Sequence, residues 1–515
     1  MILLLGTCYF CDINTRKVKT EYMNPLKKLM GETVIYGFTT IIGRFINWLL
    51  VPLYTRVLLP DEYGVIVHLM AYTSILMVLL TYGTETGFFR FATKEGRNKV
   101  FSTLLTSLTF TSLVFVIFCF SFLPQISNLL EVPDYPIYIA LLAVTVAIDV
   151  LTSLPFALLR LDSRPIRFGI IKLVNIGINV GSNLFFLLLC PFLEKKGIHV
   201  LFYNPEGGVI YVFISYLIAS VITLIMLLPY ILKFKFVFSF SLLKDILKYS
   251  YPILIVSLAG IINLQGDKIL MPLLLEDKET SMAMTGIYGA SYKLALVMYI
   301  FTQGFRFAFE PFFFNYSRNS DSKKIYEDVL LYFTGFGLMI FLGVMFNLDI
   351  LKYFVKSNFF EGLPIVPWVL MANLFQGMYY SLSLWYKLTD KTIYGAYMAI
   401  IGCVITVVGN VVFLPRIGFM ASAYSVFTCF LVMTILSFIL GRHFYKINYD
   451  IPKIIFYFVI CLVFYFVGRM ITFDSNLVTC LARLPLFVLF VYIFVRREMS
   501  FLLTKDFMYK LIHKK

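Results

Sequence analysis

The sequence is poor in charge, and the charge it has is lopsided. Charged residues make up 14% of the 515, with 44 Lys and Arg against 29 Asp and Glu, where a soluble domain carries about a quarter. No P-loop is present, so the chain lacks a nucleotide-hydrolysing cradle of its own. The four histidines, His68, His199, His443 and His513, are dispersed and lack metal-ligand spacing. Of the eight cysteines, six (Cys119, Cys190, Cys403, Cys429, Cys461 and Cys480) sit in or at the ends of apolar runs. Cys8 and Cys11 form a lone CxxC with no second ligand pair, so neither zinc nor a disulfide framework is expected. Loops run to about 20 residues at most, which argues against a membrane polymerase or glycosyltransferase with one large hydrophilic loop of clustered acids. No cofactor and no metal site is expected.

What is present is apolar sequence. Hydrophobic residues are 60% of the chain and mean hydropathy is +0.85. The apolar residues fall in stretches of roughly 20, the helix length that crosses a hydrocarbon core of about 30 Å. Segments of about ten residues alternating in polarity, the mark of a membrane barrel, are not seen. The expectation is an all-α integral membrane protein with about fourteen spans, at 33–55, 63–83, 99–122, 136–159, 166–190, 209–232, 250–273, 284–309, 328–349, 364–386, 392–414, 419–440, 452–471 and 477–495.

Basic residues set the orientation. The amino-terminal arm, every second loop after it and the tail carry 30 Lys and Arg, and the intervening loops carry nine. The asymmetry predicts both termini in the cytoplasm and an even number of spans. It also accounts for the net charge of +15 without nucleic acid as a partner. Residues 1–22 are too short and too poorly flanked to be a signal peptide, and Met23 is the expected true start.

Two short motifs recur at an offset of 225: Tyr63-Gly64 with Tyr288-Gly289, and Glu85-x-x-Phe88-Phe89 with Glu310-x-x-Phe313-Phe314. Six spans separate the copies, which predicts a parallel repeat of six plus six with two helices left over. The expected division is a cytoplasmic arm at 1–32, a first lobe at 33–232, a second at 233–440, the last two spans within 441–495 and a basic tail at 496–515.

Charges inside spans are costly and usually face a cavity. Arg44 lies mid-span, on one face with Thr40 and Asn47. The fifth span carries Lys172, Asn175, Asn179 and Asn183 at spacings of three and four, and the eighth carries Lys293, Gln303, Arg306 and Glu310. Arg44 and Lys293 have no opposite charge one turn away. For the others two readings stand: the Asn stripe lines a cavity or binds neighbouring helices, and Glu310–Arg306 and Glu85–Arg90 are functional or merely intrahelical pairs. Lys387 reads as a snorkelling end residue. The basic group Arg44, Lys172, Lys293 and Arg306, against Asp149 as the deep acid, predicts a pocket for phosphate or another anion.

GRFINWLLVPLYTRVLLPDEYG in the first two spans resembles the opening of bacterial polysaccharide-biosynthesis (O-antigen type) flippases. These belong to the multidrug/oligosaccharidyl-lipid/polysaccharide (MOP) exporter superfamily. QGDKIL, TGIYGASYKLALVMYIFTQGFRFAFEPFFF and SLSLWYKLTDKTIYGAY are similar to the same family. The resemblance implies two six-helix lobes meeting in a V, as in MATE transporters, plus two C-terminal helices. It also implies passage of an undecaprenyl-pyrophosphate-linked oligosaccharide across the bacterial inner membrane by alternating access. The lipid-linked glycan and the bilayer would then be its partners, with the polysaccharide polymerase machinery beside it. Arg44, Asn47, Lys172, Asn175, Asn179, Lys293, Gln303 and Arg306 are the expected substrate contacts, and Glu85, Asp149 and Glu310 the expected ion-coupling groups. A peptidoglycan-precursor flippase, a cation-coupled drug exporter and a membrane oligosaccharide polymerase are the competing readings.

Overall fold

A computed structural model describes residues 37, 39–201, 203–205, 207–275, 277–316, 322–389 and 391–499. The side chains of 278, 279, 308, 310–316 and 322 are not described. The arm at 1–32 with Met23, and the tail beyond 499, lie outside the described residues.

Every regular element described is helical. Among the described residues eleven helices are long and apolar enough to cross a membrane. Three further expected spans are interrupted. The first runs from 39 to 48, turns at Leu49-Leu50 and resumes as Val51–Val57. The eighth is split at Ala295 into Lys278–Leu294 and Leu296–Tyr316, and the tenth at Ser383 into Val366–Leu382 and Leu384–Leu388. Eleven continuous and three broken spans account for the expected fourteen. The chain is an all-α, multi-pass membrane protein.

Local chemistry marks the ends. Proline stands in the first turn of the helices Pro60–Thr81, Pro136–Leu161 and Pro165–Leu184, where its missing N–H has no helical partner to lose. Asp450 caps Ile451–Met470 by accepting from the Lys453 amide. The second span bends where Tyr82 and Gly83 both turn left-handed (φ 33° and +67°) and then runs on as Thr84–Ala92. The seventh is longer than expected. It starts at Phe240, ten residues early, and ends at Leu274.

Spans 3 to 6 pack with the second as one bundle. Spans 9 to 12 form another with the seventh and eighth, on which the last two spans lie through the ninth. We call the end carrying the basic loops the basic face and the other the far face. At the far face the bundles share one apolar cluster. Leu50, Val51, Tyr54, Tyr63 and Leu69 of the first two spans meet Ile287, Ala290, Val355 and Phe359. The second and eighth spans approach most closely there. A Cβ on Gly64 would collide with the Met282 carbonyl, one on Gly286 with the Pro60 carbonyl, and one on Gly289 with Val67. Gly64 and Gly289 are the glycines of the 225-residue repeat, and both sit in this seam.

Candidate substrate cavity

The first span lies against the eighth along its length. Gly37 faces Phe307 and Ile41 faces Gly304. Arg44 Nη1 donates to the Tyr299 hydroxyl at 2.8 Å, its guanidinium 5.1 Å from that ring's centre. One turn on, Trp48 Nε1 donates to the Lys293 carbonyl at 2.8 Å. Among the described residues neither Arg44 nor Lys293 forms an ion pair, and the Lys293 ammonium has no hydrogen bond. Two half-buried cations on opposite sides of the seam thus lack a counter-ion. Their desolvation is compensated when an anion sits between the bundles.

The stripe on the fifth span divides. Asn175 donates to the Ala219 carbonyl at 3.1 Å and to Thr223 Oγ1 at 2.8 Å, both on the sixth span. Buried Asn179 donates to Asn47 Oδ1 at 3.4 Å. Asn183 binds back to Asn179 and accepts from Tyr54 at 3.0 Å. Asn47 itself remains exposed. Three of the stripe's four groups therefore have helix-to-helix partners. Lys172 does not: its ammonium lies 4.1 Å from the centre of the Phe156 ring.

Around Lys172 the structure gathers charges from the second and fourth spans. Asp149, on the fourth span, is hydrogen-bonded by Ser220 and lies within electrostatic reach of Lys172, as do Glu85 and Arg160. Glu85 pairs with Arg160 Nη2 at 2.6 Å. Arg90 instead covers the Tyr249 ring at 4.2 Å, so of the two readings of Glu85 the intrahelical pair with Arg90 gives way to an ion pair between spans. Arg160 directly follows an apolar run, which in sequence reads as the end of a span. The helix Pro136–Leu161 carries it to its last turn and folds it back over Phe89 and Phe168. A basic residue inside the final turn, rather than beyond it, was the only signal.

In the second bundle Gln303 is 3% exposed and, with Arg306, hydrogen-bonds Tyr380. Arg306 stacks over that ring at 5.1 Å. Arg306, Lys387, Ser383 and Phe305 line a small pocket at the basic face. Glu310 lies in the helix Leu296–Tyr316, but its side chain is outside those described. A buried pair on the seventh span is better shielded than Asp149. Asp267, 1% exposed, holds Lys268 at 2.9 Å and accepts from Tyr288. Across the seam, His68 Nδ1 meets the Lys268 carbonyl at 2.9 Å. Among the described residues no group of three or more His, Cys, Asp or Glu is arranged to hold a metal.

The family model described as "Polysaccharide biosynthesis protein" matches residues 29–316. No curated protein matches the chain. Among solved structures it is similar to a lipid II flippase, MurJ, in an inward closed conformation, at TM-score 0.72 and 16% identity over 90% of this chain and 99% of that one. It is also similar to a multidrug resistance MATE family transporter of the MOP superfamily, inward-facing, at TM-score 0.53 and 14% identity over 80% and 94%. A MOP superfamily transporter from Pyrococcus furiosus matches at TM-score 0.52 and 16% identity over 83% and 98%. At these identities the likeness is one of fold.

Proposed function

The chain belongs to the polysaccharide biosynthesis protein family, and on that footing we propose that it is a flippase, not an enzyme, for an undecaprenyl-pyrophosphate-linked oligosaccharide. One observation carries the reading. Arg44 and Lys293 stand on the first and eighth spans without a carboxylate partner among the described residues, at the seam that alternating access must open. A pyrophosphate supplies the missing charge. Asn47, Lys172, Asn179, Gln303 and Arg306 extend polar contact toward the glycan, while the polyprenyl chain stays in lipid. Asn175 is spent on the sixth span and contributes through packing. Glu85, Asp149 and Glu310 are the groups proposed for ion coupling. The loop charges support placement in the bacterial inner membrane with both termini cytoplasmic, beside the polymerase machinery that uses the product.

The test replaces Arg44 or Lys293 by Ala and measures surface polysaccharide at matched protein level in the membrane. Loss of most surface glycan in either variant is expected, and undiminished glycan in both rejects the assignment. The MurJ-like fold favours one second reading, the flipping of a peptidoglycan lipid precursor. Rescue of a strain depleted of its lipid II flippase would replace the first reading by that one.

A further inference from the structure

We infer that Arg160, with Lys172 beside it, is a phosphate-exchange site in which Glu85 is a resident counter-ion that an incoming phosphoryl group displaces. The inference rests on the anionic-carrier reading above and adds a second anion site, inside the first bundle at the Lys172 end of those polar contacts.

Four observations support it. Glu85 engages Arg160 at Nη2, 2.6 Å away. Nε, the other donor on that edge of the guanidinium, is buried with no hydrogen-bond partner. A fork half filled by a carboxylate is fully filled by two phosphoryl oxygens, and such bidentate, charge-assisted pairs are the stronger ones. Secondly, the fork is held in place: Arg160 lies over Phe89 and Phe168 at 5.6 and 5.9 Å, and Phe168 packs edge-on to Phe156, the ring beneath Lys172. The two cations therefore share one aromatic wall. Thirdly, neighbouring basic residues are engaged elsewhere. Arg90 lies on Tyr249, Arg97 pairs with Asp162, and Arg167 donates to Tyr230. Fourthly, the Glu85 side chain is 47% exposed, so once displaced it is solvated without refolding. A carboxylate with that freedom is exchangeable in a way that Asp149, hydrogen-bonded by Ser220, is not.

The phosphoryl group could come from a pyrophosphate-linked lipid or from bilayer phosphodiesters, so the experiment separates the two. The full chain in phosphatidylcholine nanodiscs is titrated calorimetrically with inorganic pyrophosphate and with farnesyl pyrophosphate. Glu85→Gln is expected to bind both about ten-fold more tightly, because the resident competitor is gone, and Arg160→Lys about ten-fold more weakly, because a point charge cannot fill the fork. In Glu85→Gln/Arg160→Lys the gain disappears. Melting curves confirm that each near-isosteric variant is folded. Unchanged or weaker binding in Glu85→Gln, wild-type binding in Arg160→Lys, or no binding by the wild type overturns the inference. Repeating the titration in phosphatidylglycerol nanodiscs assigns the source. Competition that vanishes in Arg160→Lys means bilayer phosphate occupies the site and overturns the substrate link, whereas no competition supports it. The readout uses neither transport nor Arg44, so a failed surface-glycan test would leave the Glu85–Arg160 coupling measurable.

Discussion

Trp48 of the first span donates its indole N–H to the main-chain carbonyl of Lys293, 2.8 Å away on the eighth. Lys293 stands two residues before the interruption at Ala295, where the regular helical ladder lapses. The Trp48 ring stacks on Phe354 at 4.3 Å. One residue thus closes a backbone vacancy and a hydrophobic contact on the far side of the seam. Side chains of the first and second spans make the other seam bonds to main-chain carbonyls as well. Arg56 reaches the Tyr353 carbonyl at 3.1 Å and His68 the Lys268 carbonyl at 2.9 Å.

Trp48→Phe keeps the ring and removes the donor. Seam closure should weaken by about 1 kcal/mol, the usual worth of such a bond. The measurement is the rate at which a membrane-impermeant thiol reagent reaches a cysteine at Ile66, which is 5% exposed in the closed seam. A rise of about five-fold over the same cysteine in wild-type background is expected. An unchanged rate would mean the bond contributes nothing to closure.

Gly64→Ala and Gly286→Ala should open the seam further, because each new methyl meets the facing helix's main chain rather than a flexible side chain. Overpacking of this kind costs about 1–3 kcal/mol, so labelling at Ile66 should exceed that in Trp48→Phe. Gly181→Ala is the control: nothing lies within 4 Å of its added methyl, and the change should leave labelling alone. Equal labelling in all three would refute close approach at Gly64.

Gly64 shows what sequence could and could not reveal. Its recurrence as Gly289, 225 residues on, was visible, because a repeat is written in residue identity. Its role in contact between bundles was not, since the partner is the carbonyl of Met282, which any residue supplies. The span count and helical class were legible because hydrophobic length is a local property. The breaks at Ala295 and Ser383 were not, for neither has a proline in the turn that follows; the one at Leu49-Leu50 does precede Pro52, which has no N–H to offer the Trp48 carbonyl. Within the site, Arg44 and Lys293 could be singled out by having no nearby acid. Arg160 was hidden by its place at a span end, and Asn175 could not be told from Asn179 because orientation around a helix is set by its neighbours.

Arg483 ties the last span to the ninth. Its guanidinium pairs with Asp349 at 2.8 Å and donates to the carbonyls of Gly468, Ile471 and Phe346. At the basic face Glu498 accepts from Tyr457 at 2.8 Å and from Lys453 at 3.4 Å. Arg483→Leu leaves three carbonyls without their donor and Asp349, 35% exposed, with only Lys352 at 3.9 Å. A loss of about 1–3 kcal/mol, the range for leaving buried hydrogen-bonding groups unpaired, should appear as a lower melting temperature and as faster proteolysis in the 471–475 connection. If melting is unchanged, the last two spans are held by apolar packing alone.

The buried Asp267–Lys268 pair offers a sharper distinction, between a structural pair and an ion-coupling site. Lys268 Nζ lies 2.9 Å from one Asp267 oxygen and 3.1 Å from the other, and 4.2 Å from the centre of the Tyr292 ring. Asp267→Leu alone strands an ammonium that is nearly shielded from water, and about 3–5 kcal/mol of stability should go with it. Replacing both charges, Asp267→Leu with Lys268→Met, removes the stranded charge, and adding Tyr288→Phe removes the hydroxyl that would otherwise lose its acceptor. Buried pairs exchanged for apolar groups of similar volume are often neutral, so the triple variant should melt close to the wild type. Surface glycan then decides the role. A triple variant that melts normally and supports normal glycan shows the pair to be a packing device. One that melts normally and supports none shows that the charges serve the transport cycle, and moves the search for the coupling group from Glu85 and Asp149 to Asp267.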